Sequence, residues 1–138
     1  MADDPKAVVQ RYMDDLWNDR NPAAADEILA ADLVWIHPTL GNRQGRQAAA
    51  DFIKEMRAAF PDMKGTIRSL VAEGDQVTAH WEATGTHQGP YRGAAPTGQP
   101  VTWEGVSLYR VKDGRITEHR AFPNSTAHGS PHHIAQHA

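Results

Sequence analysis

The stretch KGTIRSLVAEGDQVTAHWEATGTH, residues 64–87, decides the architecture. Its polar and apolar residues change places at every second position, the period of a β-strand. Gly74 and Asp75 interrupt the pattern with a tight-turn pair, so two antiparallel strands are expected at 64–73 and 76–87. The same period returns at 99–111 and 115–122, with Asp113 and Gly114 as the turn between them. The Gly- and Pro-rich segment 89–100 reads as a long loop joining two long strands.

Upstream the period is helical. Val9, Tyr12, Met13, Leu16 and Trp17 form one apolar stripe over residues 4–18. The segment from Asn18 to Pro22 breaks it, and Asn21 with Pro22 opens a short second helix whose inner side is Ala25, Ile28 and Leu29. Leu33, Val34, Trp35 and Ile36 read as a buried strand ending at His37 and Pro38. Residues 39–45 read as a loop. Ala49, Phe52, Ile53, Met56 and Phe60 then mark a third helix over 46–60, closed by Pro61. Helices against an antiparallel sheet make an α+β layout.

The chain of 138 residues has the size of one domain, expected over 1–125, with 126–138 as a flexible tail. It contains no cysteine, which excludes disulfides, thiolate metal sites and Cys nucleophiles. A net charge of −3 and the absence of a basic run argue against a nucleic-acid partner. No apolar run reaches membrane-spanning length, and the acidic N-terminus lacks the features of a signal peptide, so a cytoplasmic protein with no membrane partner is expected. His128, His132, His133 and His137 cluster in the tail without supporting ligands and are not read as a metal site.

Candidate site residues follow from chemistry. His37 ends a buried apolar run, and an imidazole there is a candidate acid or base. His80 shares a strand face with Glu82, an arrangement that suits an oriented base or a surface pair. In Glu118-His119-Arg120, alternation puts Glu118 and Arg120 on one face and His119 on the other. Trp17, Trp35, Trp81 and Trp103, with Tyr12 and Tyr91, would suit the lining of a cavity for a flat or aromatic ligand, or a plain core.

Several pieces in order carry a family resemblance: Leu29-Ala-Ala-Asp-Leu-Val-Trp-Ile-His37, Thr84-Gly-Thr-His-Gln-Gly89, Gly93-Ala-Ala-Pro-Thr-Gly98, Gly105, and Tyr109-Arg-Val-Lys-Asp-Gly-Arg-Ile-Thr-Glu-His119. Together they resemble the SnoaL-like polyketide cyclases of the NTF2-like superfamily. The resemblance implies a cone-shaped α+β barrel, with three N-terminal helices packed on a curved, mostly antiparallel sheet, usually as a homodimer. It also implies a cofactor-free and metal-free pocket for a hydrophobic or aromatic small molecule. There a proton leaves the carbon next to a carbonyl, for aldol cyclisation or isomerisation. Cyclases of this group typically carry an acidic base shortly after a Glu-His-Trp-like strand. Here the aromatic position is Arg120 and the acid position is Asn124, which has no titratable carboxylate. The catalytic candidates are therefore His37, His80, His119 and Asn124, with Tyr12, Trp17, Trp35, Trp81, Tyr91, Trp103, Glu118 and Arg120 as ligand contacts. The alternative is a protein of the same fold that binds its ligand without turnover.

Overall fold

The computed structural model describes residues 4–18, 21–37, 41–91 and 93–123. Asn124, the tail and its histidines lie outside the described residues. The first helix, α1 (Pro5–Arg11), starts where Asp4 accepts a hydrogen bond from the Lys6 N–H at 3.0 Å and Pro5 occupies a first-turn position. It continues as a π-helical segment, Tyr12–Asn18, whose buried residues are Tyr12, Met13 and Leu16. At its end the Asn18 amide bonds both ways with the Gly65 backbone, at 3.0 and 2.8 Å. A 3-10 turn (Pro22–Ala24) leads into α2 (Ala25–Ile28), β1 (Leu29–His37) and β2 (Gly41–Gln44). The long helix α3 (Arg46–Ala59) follows, then β3 (Lys64–Glu73), β4 (Gln76–Thr86), β5 (Pro100–Lys112) and β6 (Arg115–Pro123).

The six strands form one sheet in the order β2-β1-β6-β5-β4-β3. β1 runs parallel to β6, and every other neighbouring pair is antiparallel. Two expectations are corrected here. The sheet is open rather than a closed cone-shaped barrel, because β2 and β3 are edges that do not pair with each other. The helices are not all N-terminal either: α3 follows the β1–β2 hairpin. The sheet buries its inner face against α1, the π-helical segment and α3, so closure on itself is not needed for burial. β2 falls in the segment expected to be a loop. Its Gly-Asn-Arg-Gln sequence carries no apolar alternation and is mostly exposed, and pairing with β1 from Val34–Gln44 to His37–Gly41 defines it.

Two apolar clusters fill the interior. Val8, Val9, Tyr12 and Leu16 pack on Val77, Ala79, Tyr109, Val111 and Ile116. Met56 and Ala59 of α3, with Phe60 just past its end, pack with Ala83, Tyr91, Val101 and Trp103. Trp17 packs against both. The loop after β4 is fastened to α3 through its backbone: the Gln88 and Gly89 N–H groups donate to the Ala59 carbonyl at 3.0 and 3.1 Å. This covers a carbonyl that the helix end leaves without an internal donor.

Facing strands crowd Gly105 on β5. A Cβ there would lie 2.7 Å from the Pro123 Cα, 2.7 Å from the Trp81 ring and 2.9 Å from the Phe122 carbonyl oxygen. Gly105→Ala is therefore expected to force β6 and the Trp81 indole apart, at a cost of about 1–3 kcal/mol. Urea denaturation should show a lower midpoint with an unchanged slope.

Candidate functional site

The inner face of β5 carries Val101, Trp103, Gly105, Ser107, Tyr109 and Val111, and Ser107 is its polar side chain that faces inward. Across the ladder, His119 of β6 lies opposite Tyr109. A bulge makes this possible. Ile116 pairs with Val111 and Glu118 with Arg110, so Thr117 is an extra residue without an opposite number on β5. Ile116 and His119, three positions apart, consequently both point inward and are buried.

His119 sits in a set of neutral polar groups. Its Nε2 is 3.1 Å from Ser107 Oγ, and its Nδ1 is 3.5 Å from the Tyr12 hydroxyl. The Trp81 indole N–H donates to Ser107 Oγ at 2.9 Å. Tyr109 stacks on the imidazole with ring centroids 4.5 Å apart, and Tyr12 meets it edge-on at 5.6 Å. β1 runs beside β6 with Trp35 opposite His119. Two residues on, His37 is also buried, its ring 5.5 Å from that of Trp35.

Burial sets the protonation states. It pushes the Tyr12 phenol up to about 12, partly offset by the Trp17 side chain. Tyr109 moves in the same direction, mainly through burial and then through Tyr12. Burial first, and then electrostatic repulsion from the neighbouring His37, lowers His119 to about 3. At neutral pH the site therefore holds two protonated phenols and a neutral imidazole.

The other candidates divide by sheet face. His80 lies on the outer face and pairs through Nε2 with Glu104 Oε1 at 2.9 Å, while Glu82 pairs with Arg68. Arg120 and Glu118 form an ion pair with each other at 2.8 Å and remain partly exposed. These three side chains do not join the buried histidines, because β-strand alternation turns them to the opposite face. Trp35, Trp103 and Tyr91 are buried, and Trp17 and Trp81 are half-buried against the same interior. Sequence reasoning passed over Ser107 and Tyr109. Their signal was a hydroxyl on the otherwise apolar odd-numbered face of β5. A separate groove of about 380 Å³ opens beside α3, lined by Leu16, Leu29 and Ile53 with Lys54 and Arg57, and no candidate histidine lines it. Among the described residues, no group of three or more His, Asp or Glu is placed to share a metal ion, and no helix is long and apolar enough to cross a membrane.

The profile of the SnoaL-like polyketide cyclases matches residues 7–129, nearly the whole described chain. The chain belongs to this family. Its fold is shared with solved structures of the group, within the NTF2-like superfamily. A candidate SnoaL-like polyketide cyclase from Jannaschia sp. CCS1 superposes with a TM-score of 0.81 at 26% identity, over 87% of this chain and 85% of that one. IdmH, a candidate polyketide cyclase from Streptomyces antibioticus, gives 0.79 at 27% identity, over 88% of this chain and 93% of its own. Nogalonic acid methyl ester cyclase of Streptomyces nogalater is 32% identical over 85 residues, 61% of this chain and 63% of that protein.

The lowered His119 pKa has a measurable consequence. Its folded value lies below the ordinary 6.5, so in acid the unfolded chain takes up the proton first. The stabilisation from keeping this ring neutral is complete above about 6.5 and is lost as pH falls toward about 3. In urea titrations, the stability gap between wild type and His119→Gln should narrow as pH is lowered through this window. A gap independent of pH would show that His119 is not held neutral by burial.

Proposed function

We propose that this protein is a small enzyme that moves protons on a carbonyl compound held in a mainly apolar pocket, without a cofactor, in a cyclisation or isomerisation. The observation that carries this reading is the buried His119, ringed by Tyr12, Tyr109 and Ser107, with His37 buried on the neighbouring parallel strand. The family supports small-molecule chemistry of this kind. The nogalonic acid methyl ester cyclase is a relative whose name describes ring closure.

The residues divide the work by protonation state. His37 takes the proton from the carbon next to the carbonyl. The C–H electron pair moves into the carbon framework and negative charge collects on the carbonyl oxygen. Tyr12, protonated well above neutral pH, donates a hydrogen bond to that oxygen. A neutral His119 is a poor base near pH 7 and serves better as a second donor. In a cyclisation, the enolate carbon bonds to a second carbonyl carbon of the same molecule, and the new alkoxide recovers the proton from His37. In an isomerisation, the proton returns to a different carbon. The aromatic shell of Trp35, Trp81 and Trp103 favours a flat, fused-ring ligand.

A second reading, binding without turnover, rests on Asn124 standing where the family carries an acid. One assay separates the two. The protein is incubated with 2-tetralone, an aromatic bicyclic ketone, in deuterium oxide, and deuterium uptake at the α-carbon is followed by NMR. Wild type is expected to accelerate uptake over buffer, and His37→Ala to remove about a hundredfold or more of the acceleration. Saturable tetralone binding without exchange would favour the binding reading. Neither binding nor exchange would remove both.

We infer further that the outer sheet face joins a second copy of the chain. Val71, Val106, Leu108 and Phe122 are exposed there, and Val106 lies directly opposite Phe122. The charges around them are already paired within the chain, as Arg68–Glu82, His80–Glu104 and Arg120–Glu118. Sedimentation should give a dimer for wild type and a monomer for a Leu108→Glu, Phe122→Glu double variant. A monomeric wild type overturns this assignment.

A further inference from the structure

The polar groups around His119 form a chain whose direction is fixed at one end. An indole N–H donates and never accepts. The Trp81 ring therefore fills one lone pair of Ser107 Oγ, at 2.9 Å. Ser107 is itself almost completely buried, so water does not satisfy its remaining hydrogen. The nitrogen within its reach is His119 Nε2, at 3.1 Å.

A neutral imidazole carries one proton, and its two tautomers are not equivalent here. With the proton on Nε2, Ser107 would accept from both Trp81 and His119, and its own hydroxyl hydrogen would have to turn away from the ring to the Tyr109 oxygen. The bare Nδ1 would then face the Tyr12 phenol. A phenol donating to an imidazole nitrogen closes to about 2.8 Å, whereas this contact is 3.5 Å. With the proton on Nδ1, the Ser107 hydroxyl donates into Nε2 and every group from Trp81 to His119 is used once.

We propose that Ser107, held by the Trp81 indole, sets the tautomer of His119, so that Nε2 accepts from the serine and Nδ1 carries the proton beside the Tyr12 hydroxyl. Ser107 and Trp81 are positioning residues and act through His119. The consequence for recognition rests on the proton-transfer reading. The Nδ1–H of His119 and the O–H of Tyr12 are neighbouring donors, their heavy atoms joined by a long 3.5 Å contact that leaves both able to turn to a ligand. Together they select a ligand with one oxygen that gains negative charge during reaction, such as a ketone passing to its enolate. A ligand presenting only donors at that point is disfavoured, because a single weak acceptor, the Tyr12 oxygen, is there to meet it.

The test reads the tautomer directly in ligand-free protein. Two-bond proton–nitrogen spectra of the histidine rings, on uniformly 15N-labelled protein at neutral pH, distinguish Nδ1–H from Nε2–H. The His119 signals are identified by their loss in His119→Gln. Wild type is expected to show Nδ1–H. Ser107→Ala should move the proton toward Nε2, and Ser107→Thr, which keeps the hydroxyl, should retain the wild-type tautomer. Nε2–H in wild type overturns the proposal, and this result does not depend on whether the alanine variant folds. An unchanged tautomer in folded Ser107→Ala overturns it as well.

A second readout uses the 2-tetralone exchange. Ser107→Ala should lower the turnover number about tenfold or more with little change in KM, and Ser107→Thr should recover most of it. Absence of exchange in every protein, wild type included, would remove the proton-transfer reading and leave the tautomer assignment to stand on the spectra.

Discussion

One unpaired residue in β6 governs which groups meet inside this molecule. Thr117 has no opposite number on β5, so the strand shifts phase between Ile116 and Glu118. Without the bulge, strict alternation from the buried Ile116 would send His119 to the outer face and turn Glu118 and Arg120 inward. Two charged side chains would then sit against Tyr12 and Tyr109 in place of a single neutral ring. The bulge exchanges a costly arrangement for one the apolar interior tolerates, because unpaired buried charge is far more expensive than a hydrogen-bonded neutral group.

The interior chemistry follows from that exchange. Among the described residues, the ion pairs are exposed or partly exposed, and several of them lie on the outer sheet face. The inner cluster is built from imidazole, phenol, hydroxyl and indole. In such surroundings every group holds its uncharged form near neutral pH, and selectivity comes from the direction of each hydrogen bond. The parallel pairing of β1 with β6 adds His37 to the same neighbourhood from a strand far away in sequence.

Much of this was legible in the sequence. Period-two alternation located β3 to β6 to within a residue or two, and the turns at Gly74-Asp75 and Asp113-Gly114 fell where expected. The apolar stripe of α3 and its end before Pro61 were equally plain. Three features were hidden because they depend on partners. β2 is polar throughout and becomes a strand only through its ladder with β1. The open edges of the sheet follow from which strands fail to meet, and local patterns do not record that. Alternation separated His119 from Glu118 and Arg120 correctly, yet it left undecided which side faced the core. Ser107 had a visible signal, a small hydroxyl on a mainly apolar strand face, but its importance depends on Trp81 and His119 arriving from adjacent strands.

The fastening of the loop after β4 has a consequence for how this scaffold can change. Main-chain atoms make its supports: Gln88 and Gly89 hold the Ala59 carbonyl, and His87 and Gln99 are joined N–H to carbonyl at 3.0 Å. Of the anchoring positions, Gly89 is closed to a larger residue, because an added Cβ would collide with the Ala58 carbonyl. The exposed stretch from Ala95 to Gln99 is freer, apart from Gly98, whose φ of 72° favours glycine and whose N–H donates to the His87 carbonyl at 2.8 Å, and Thr97, which contacts His87 and Gln99. Such a segment behaves as an exchangeable cassette, whose side chains can drift toward new ligands while the frame that carries it keeps its shape.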